Sequence, residues 1–244
     1  MPHSTPPSPL FATTRWSVVI KAQRDTTPET RNALETLCRG YWYPLYAYVR
    51  RAGKSPHDAE DLTQQFFANL LEKDWLRTAA PEKGRFRSFL LVALKRFMTK
   101  EWRHSTAQKR GGVLPALPLE TADAERRYAG EPVETLAADE IYERRWAMTL
   151  LDQALEQLRA EFSAAGKAEE FDCLKQWLSA DRNQIPYAEL ASRLGGAEGS
   201  ARVAVHRLRK RFREIFRERI AITVAEGEDL DEEIRHLVAV LSRG

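Results

Sequence analysis

Three groups of residues in this chain have types and spacings that suit work on a partner. Asp58, Glu60 and Asp61 place three carboxylates within four positions, with Gln64 and Gln65 one turn further on. Carboxylates at a helix start support its dipole by about 0.3 to 1 kcal/mol each, and exposed ones also meet a basic surface. Arg96, Lys100 and Arg103 line up at helical spacing, and Trp75 and Trp102 are the nearby rings that the apolar pattern leaves at the surface. Cations beside exposed rings suit a nucleic-acid strand, since stacking is worth about 1 to 3 kcal/mol per base. Arg202, His206, Arg209 and Arg213 form a third stripe, with Arg207 and Lys210 beside it, in reach of phosphates and base edges.

Catalytic and metal chemistry finds no comparable constellation. His57 beside Asp58 invites a metal reading, but His3, His104, His206 and His236 stand in unrelated segments. There is no HExxH, no CxxC and no glycine-rich phosphate loop, and no Ser-His-Asp or Cys-His spacing can be defended. The expectation is a protein that is not an enzyme and needs no cofactor. Cys38 and Cys173 lie far apart in apolar helical patterns, which fits a reducing compartment. The start MPHSTPPSPL lacks a basic stretch followed by an apolar run, and the longest apolar run, Phe89 to Leu94, is too short for a bilayer. A soluble, cytoplasmic protein without membrane partners is expected.

The net charge of +3 hides a strong sorting of charge. Arg85, Arg87, Lys95, Arg96, Lys100, Arg103, Lys109 and Arg110 face the single acid Glu101 between positions 85 and 110. A second basic block runs from Arg202 to Arg219, and acids dominate Ser55 to Asp74 and Glu120 to Glu143. Two basic blocks can meet a polyanion twice while the acidic ones face a basic partner.

The elements that must carry these groups read as helices. Leu34, Leu37, Cys38, Tyr41, Leu45, Tyr48 and Val49 recur every three or four residues in a helix ending near Gly53. Ser55, Pro56 and Asp58 then form a helix start of the capping-box kind, followed by the apolar face Leu62, Phe66, Phe67, Leu70 and Leu71. Phe86, Phe89, Leu90, Ala93, Leu94, Phe97 and Met98 keep the same rhythm opposite Arg96 and Lys100. Gly111, Gly112, Pro115, Pro118, Gly130 and Pro132 interrupt the pattern and mark a connector. Beyond it a short helix with Tyr187, Leu190, Ala191 and Leu194 inward stops at Gly195 and Gly196. A long one follows with Ala201, Val205, Leu208, Phe212 and Ile215 inward, which is helix-turn-helix spacing. The predicted fold is all-α, with two helical domains at 1–104 and 141–222, a linker at 105–140 and a helical extension at 223–244.

On these residues the chain resembles the bacterial RNA polymerase sigma factors of the extracytoplasmic-function (ECF) subgroup. YWYPLYAYVRRAGKSPHDAEDLTQQFFANLLEK resembles sigma region two, GRFRSFLLVALKRFMTKEWR its promoter-opening segment, and IPYAELASRLGGAEGSARVAVHRLRKRF region four. Pro186 and Arg96 depart from the Ser or Thr and the Asn that are frequent there. The resemblance implies that Asp58, Glu60, Asp61, Gln64 and Gln65 dock on core RNA polymerase. It implies that Trp75, Arg87, Arg96, Lys100, Trp102 and Arg103 engage the minus-ten region of promoter DNA. Ser200, Arg202, Val203, His206, Arg207, Arg209, Lys210 and Arg213 would then read the minus-thirty-five element, Arg202 and His206 at or near the bases and Arg209, Lys210 and Arg213 on phosphate. An anti-sigma factor or a regulatory kinase would be a further partner, with Thr63, beside the docking acids, as the residue a phosphate would reach. The rival functions are a one-component helix-turn-helix regulator with an N-terminal sensor domain, and a nucleic-acid-processing enzyme.

Overall fold

The computed structural model describes residues 15–24, 27–72, 74–80, 84–105, 121–129, 136–221, 223–224 and 230–242. Every regular element among them is helical, as the periodicity predicts. The α-helices are α1 (Arg15–Arg24), α2 (Pro28–Arg51), α3 (Pro56–Glu72), α4 (Phe86–Ser105), α5 (Thr121–Ala129), α6 (Ala138–Ala164), α7 (Ala168–Leu174), α8 (Tyr187–Leu194), α9 (Glu198–Ala221) and α10 (Leu230–Leu241). None of the described helices is long and apolar enough to cross a membrane.

The chain forms two compact units, 1–149 with 221–244, and 150–220. In the first, α2 starts from Thr27, whose Oγ1 accepts the Thr30 N–H at 3.4 Å, with Pro28 in the first turn where no helical N–H is needed. Pro44 lies inside α2 and leaves the Gly40 carbonyl without a helical donor. The core is aromatic. Tyr41 stacks on Trp146 at 6.3 Å between centroids and meets Phe86 edge-on at 5.7 Å, while Phe66 packs against Phe67 and Phe97. Leu45, Leu70, Leu90 and Leu94 are fully buried beside them.

Two segments fall in the first unit that periodicity assigns elsewhere. Within the stretch read as a linker, α5 is a helix built onto α2: Arg50 holds Glu125 through Nε at 3.0 Å and Nη2 at 2.9 Å, and Tyr46 donates to the same carboxylate. Residues 138–149 of α6 bring in buried Tyr142 and Trp146, so the boundary lies at 149/150 rather than near 140. The C-terminal α10 also belongs to this unit, where Glu233 and Leu237 are buried.

The second unit closes around Ala154, Leu158, Phe171, Leu174, Ile185, Leu190, Ala191, Ala201, Val205, Leu208 and Ile215. α8 ends on Gly195 at φ +67°, a left-handed conformation that glycine adopts without strain, and the Gly196 N–H returns to the Ala191 carbonyl at 3.0 Å. Ala197 completes the turn into α9. A bidentate pair, Arg211 to Glu161 at 2.8 Å through both Nε and Nη2, clasps α9 to α6, and Arg219 adds bonds to Gln153 and Gln157.

Candidate nucleic-acid interface

The acidic turn opens α3. Ser55 Oγ accepts the Asp58 N–H at 3.1 Å and donates to Asp58 Oδ2 at 2.7 Å, so the Asp58 carboxylate is tied to the helix cap while remaining exposed. Asp61 is exposed as well, with His57 Nδ1 at 3.2 Å from its Oδ2. A backbone hydrogen bond and then the Asp61 charge raise the His57 pKa above its ordinary value. Glu60, Gln64 and Gln65 are half-buried, and Gln64 donates to Glu60 at 3.2 Å. The turn thus presents two exposed carboxylates, Asp58 held by the Ser55 cap and Asp61 beside His57, with an amide-bearing row behind them. Thr63 points the other way. Its side chain is fully buried and its Oγ1 donates to the Ala59 carbonyl at 2.7 Å, so a phosphate cannot be placed there in the folded unit.

On α4 the apolar residues Leu90, Leu94 and Phe97 turn inward, which leaves Ser88, Val92, Arg96, Thr99 and Lys100 exposed on the outer face. Arg96 and Lys100 therefore stand where a polyanion can reach them. Lys95 is drawn aside by Asp139 at 2.6 Å and lies over the Tyr48 ring. Trp75, expected at the surface, is half-buried against Phe66 and Phe97 at 6.2 and 6.0 Å, so only part of its ring faces solvent. The side chains of Trp102 and Arg103 lie outside the described residues.

Arg87 corrects the sequence reading. Its side chain is 2% exposed, bonded through Nε to Glu143 at 3.0 and 3.2 Å and through Nη1 to Glu233, and it lies 4.4 Å over the Trp146 ring. Burial opposes its charge, but Glu143 and Glu233 outweigh that and hold its pKa above the ordinary arginine value. A guanidinium with two carboxylates and a ring around it is a structural group and not a DNA contact. Arg85 joins it at 2.7 Å from Glu233 Oε2, and His236 Nε2 lies 3.3 Å from Glu143. Glu143 and Glu233 escaped the sequence reading because nothing local links positions 87, 143 and 233.

On α9 the inward stripe Ala201, Val205, Leu208 and Ile215 leaves Ser200, Arg202, Val203, His206, Arg207, Lys210 and Arg213 exposed. Arg209 is the exception and a second correction. It donates to the carbonyls of Trp177, at 2.9 and 2.6 Å, and Ala180, so it braces the segment after α7 and is not available for phosphate. Arg211 and Arg219 are likewise spent on α6. The basic density of α9 is therefore partly internal, and the outward cations are Arg202, Arg207, Lys210, Arg213 and Arg217. Ser200, Val203 and Arg207 also line a groove of about 650 Å³ shared with Glu161, Phe162 and Lys167. Among the described residues no three His, Cys, Asp or Glu side chains converge as metal ligands.

Residues 40–108 match the family model described as Sigma-70 region 2. The chain carries a sigma region 2 domain. The matched stretch runs from within α2 through α3 and α4, so it contains both the acidic turn and the Arg96–Lys100 face. Region 2 is the part of sigma factors that binds core RNA polymerase and promoter DNA. No curated protein and no solved structure matches the chain.

Proposed function

We propose that this protein is a sigma factor of the ECF subgroup, which brings core RNA polymerase to a class of promoters in the cytoplasm and aids DNA opening there without catalysis of its own. The observation that carries the reading is the region 2 match, because it encloses the exposed acids of α3 and the exposed cations of α4 in one domain. Asp58, Glu60 and Asp61, with Gln64 and Gln65, form the polymerase-docking face. Arg96 and Lys100, with the exposed edge of Trp75 and with Trp102 and Arg103, take the minus-ten strand. In the second unit α8 and α9 act as a helix-turn-helix on the upstream element, α9 lying in the major groove. Two DNA contacts in one chain act through effective concentration, so neither needs high affinity alone.

A regulatory kinase acting on Thr63 has no place in this reading, since the residue is buried. The test is run-off transcription with purified core polymerase and a promoter library. Promoter-selective transcripts that depend on the protein are expected; failure to bind core polymerase under every condition tried would overturn the reading.

A further inference from the structure

The first residues of α8 and α9 converge on one guanidinium. Arg202 Nη2 is bonded to Glu198 Oε1 at 2.5 Å, and Arg202 Cζ lies 4.2 Å from the centroid of the Tyr187 ring. The Arg202 side chain nevertheless stays 58% exposed, on the first turns of α9. A long side chain that would otherwise sample many rotamers is thus held between a ring and a carboxylate before any ligand arrives. Restraint of this kind lowers the ordering cost of binding.

The charge balance says what such an arginine suits. Together with Glu198 it makes a pair of zero net charge, which gains little from the field of a phosphate backbone and releases few counterions. Its directional N–H donors remain, because a guanidinium has five and the bond to Glu198 uses one. A fixed, planar donor fork with its charge offset matches the two acceptors of a guanine edge, O6 and N7. Resting on the function proposed above, we propose that Arg202 reads a guanine in the upstream promoter element, and that Tyr187 and Glu198 are its positioning residues. The neighbouring cations of α9 take other roles: Arg209 is turned onto backbone carbonyls, and Lys210 is 3.9 Å from Glu214 and free to swing to phosphate.

The test uses the full chain with core polymerase and promoter duplexes randomised at the upstream element. Wild type selects a G·C pair at one position. Arg202→Ala and Tyr187→Leu both lose that preference by about 10-fold to 100-fold at this one position and leave the other positions unchanged. Tyr187→Phe, which keeps the ring, and Glu198→Gln, which keeps an acceptor for Arg202, retain it. A structural role for Tyr187 would instead weaken binding to all sequences equally, and that result overturns the proposal. So does an Arg202→Ala protein that loses affinity equally for every base while its salt dependence flattens by about one unit of slope, since that marks a phosphate contact. Normal promoter-selective transcription with no position sensitive to Arg202 sinks this inference alone, whereas absence of any transcript sinks the sigma-factor reading with it.

Discussion

Arg87 and Arg209 show how the fate of a cation is decided by what lies opposite it. Both sit in basic stretches of the sequence, and both are consumed internally, one by Glu143 and Glu233, the other by two backbone carbonyls. Glu233 is 1% exposed, so its removal leaves a buried guanidinium short of a counter-charge. Glu233→Ala is expected to cost the first unit about 3 to 5 kcal/mol in urea unfolding, while a double change, Arg87→Met with Glu233→Leu, recovers much of that loss. Arg213 is exposed, and its behaviour should differ in kind from that of Arg209. Arg213→Ala is expected to flatten the plot of log K against log salt for DNA binding by about one unit, with unfolding unchanged. Arg209→Ala should lower the unfolding midpoint, because it frees two carbonyl acceptors, and should leave the salt slope alone.

At the level of elements, helices α5 and α10 and the two halves of α6 carry the main departure from expectation. The stretch around α5 is rich in Gly and Pro and lacks an apolar stripe, yet Thr121–Ala129 is helical because its polar residues find partners on α2. Arg50 grips Glu125, Arg127 lies 4.2 Å over Tyr43, and Arg50 lies 5.0 Å over Tyr128. Burial and the hydrogen bond to Glu125 push the Tyr46 phenol well above its ordinary value. The α6–α9 clasp of the second unit makes a pH prediction. The hydrogen bond from Arg211 holds the Glu161 carboxyl below its ordinary range, against the opposing effect of burial. A carboxyl with a depressed folded value contributes stability in full above its unfolded value, about 4.3, and loses it as pH falls through the folded value. Stability of the wild type should therefore decline on acidification below about pH 4.3, and Glu161→Gln should flatten that decline in urea titrations across the same window.

For the whole molecule, the functional prediction separates folding from docking. Asp61 is exposed and pairs with the exposed His57, so reversing its charge leaves the packed face of α3 untouched. Asp61→Arg should abolish pull-down of core polymerase with helix content by circular dichroism unchanged. Retained binding would remove the docking face from the proposed function.

Whatever depends on near neighbours along the chain is legible in the order of residues. Helical periodicity, the Ser55–Pro56–Asp58 cap, the Gly195 stop and the outward display of Arg96, Lys100, Arg202 and Arg213 all follow from spacings of three and four residues, because a helix sets which side chains share a face. Tertiary structure alone decided which charges survive at the surface. Arg87 meets Glu233 across 146 positions and Arg211 meets Glu161 across 50, and no local rule brings such pairs together. Ion pairs form wherever packing brings opposite charges within reach, and the cost of burying a charge makes that partner obligatory. The same logic places α10, whose apolar spacing predicts a helix but whose site is chosen by a buried glutamate and the arginines that answer it.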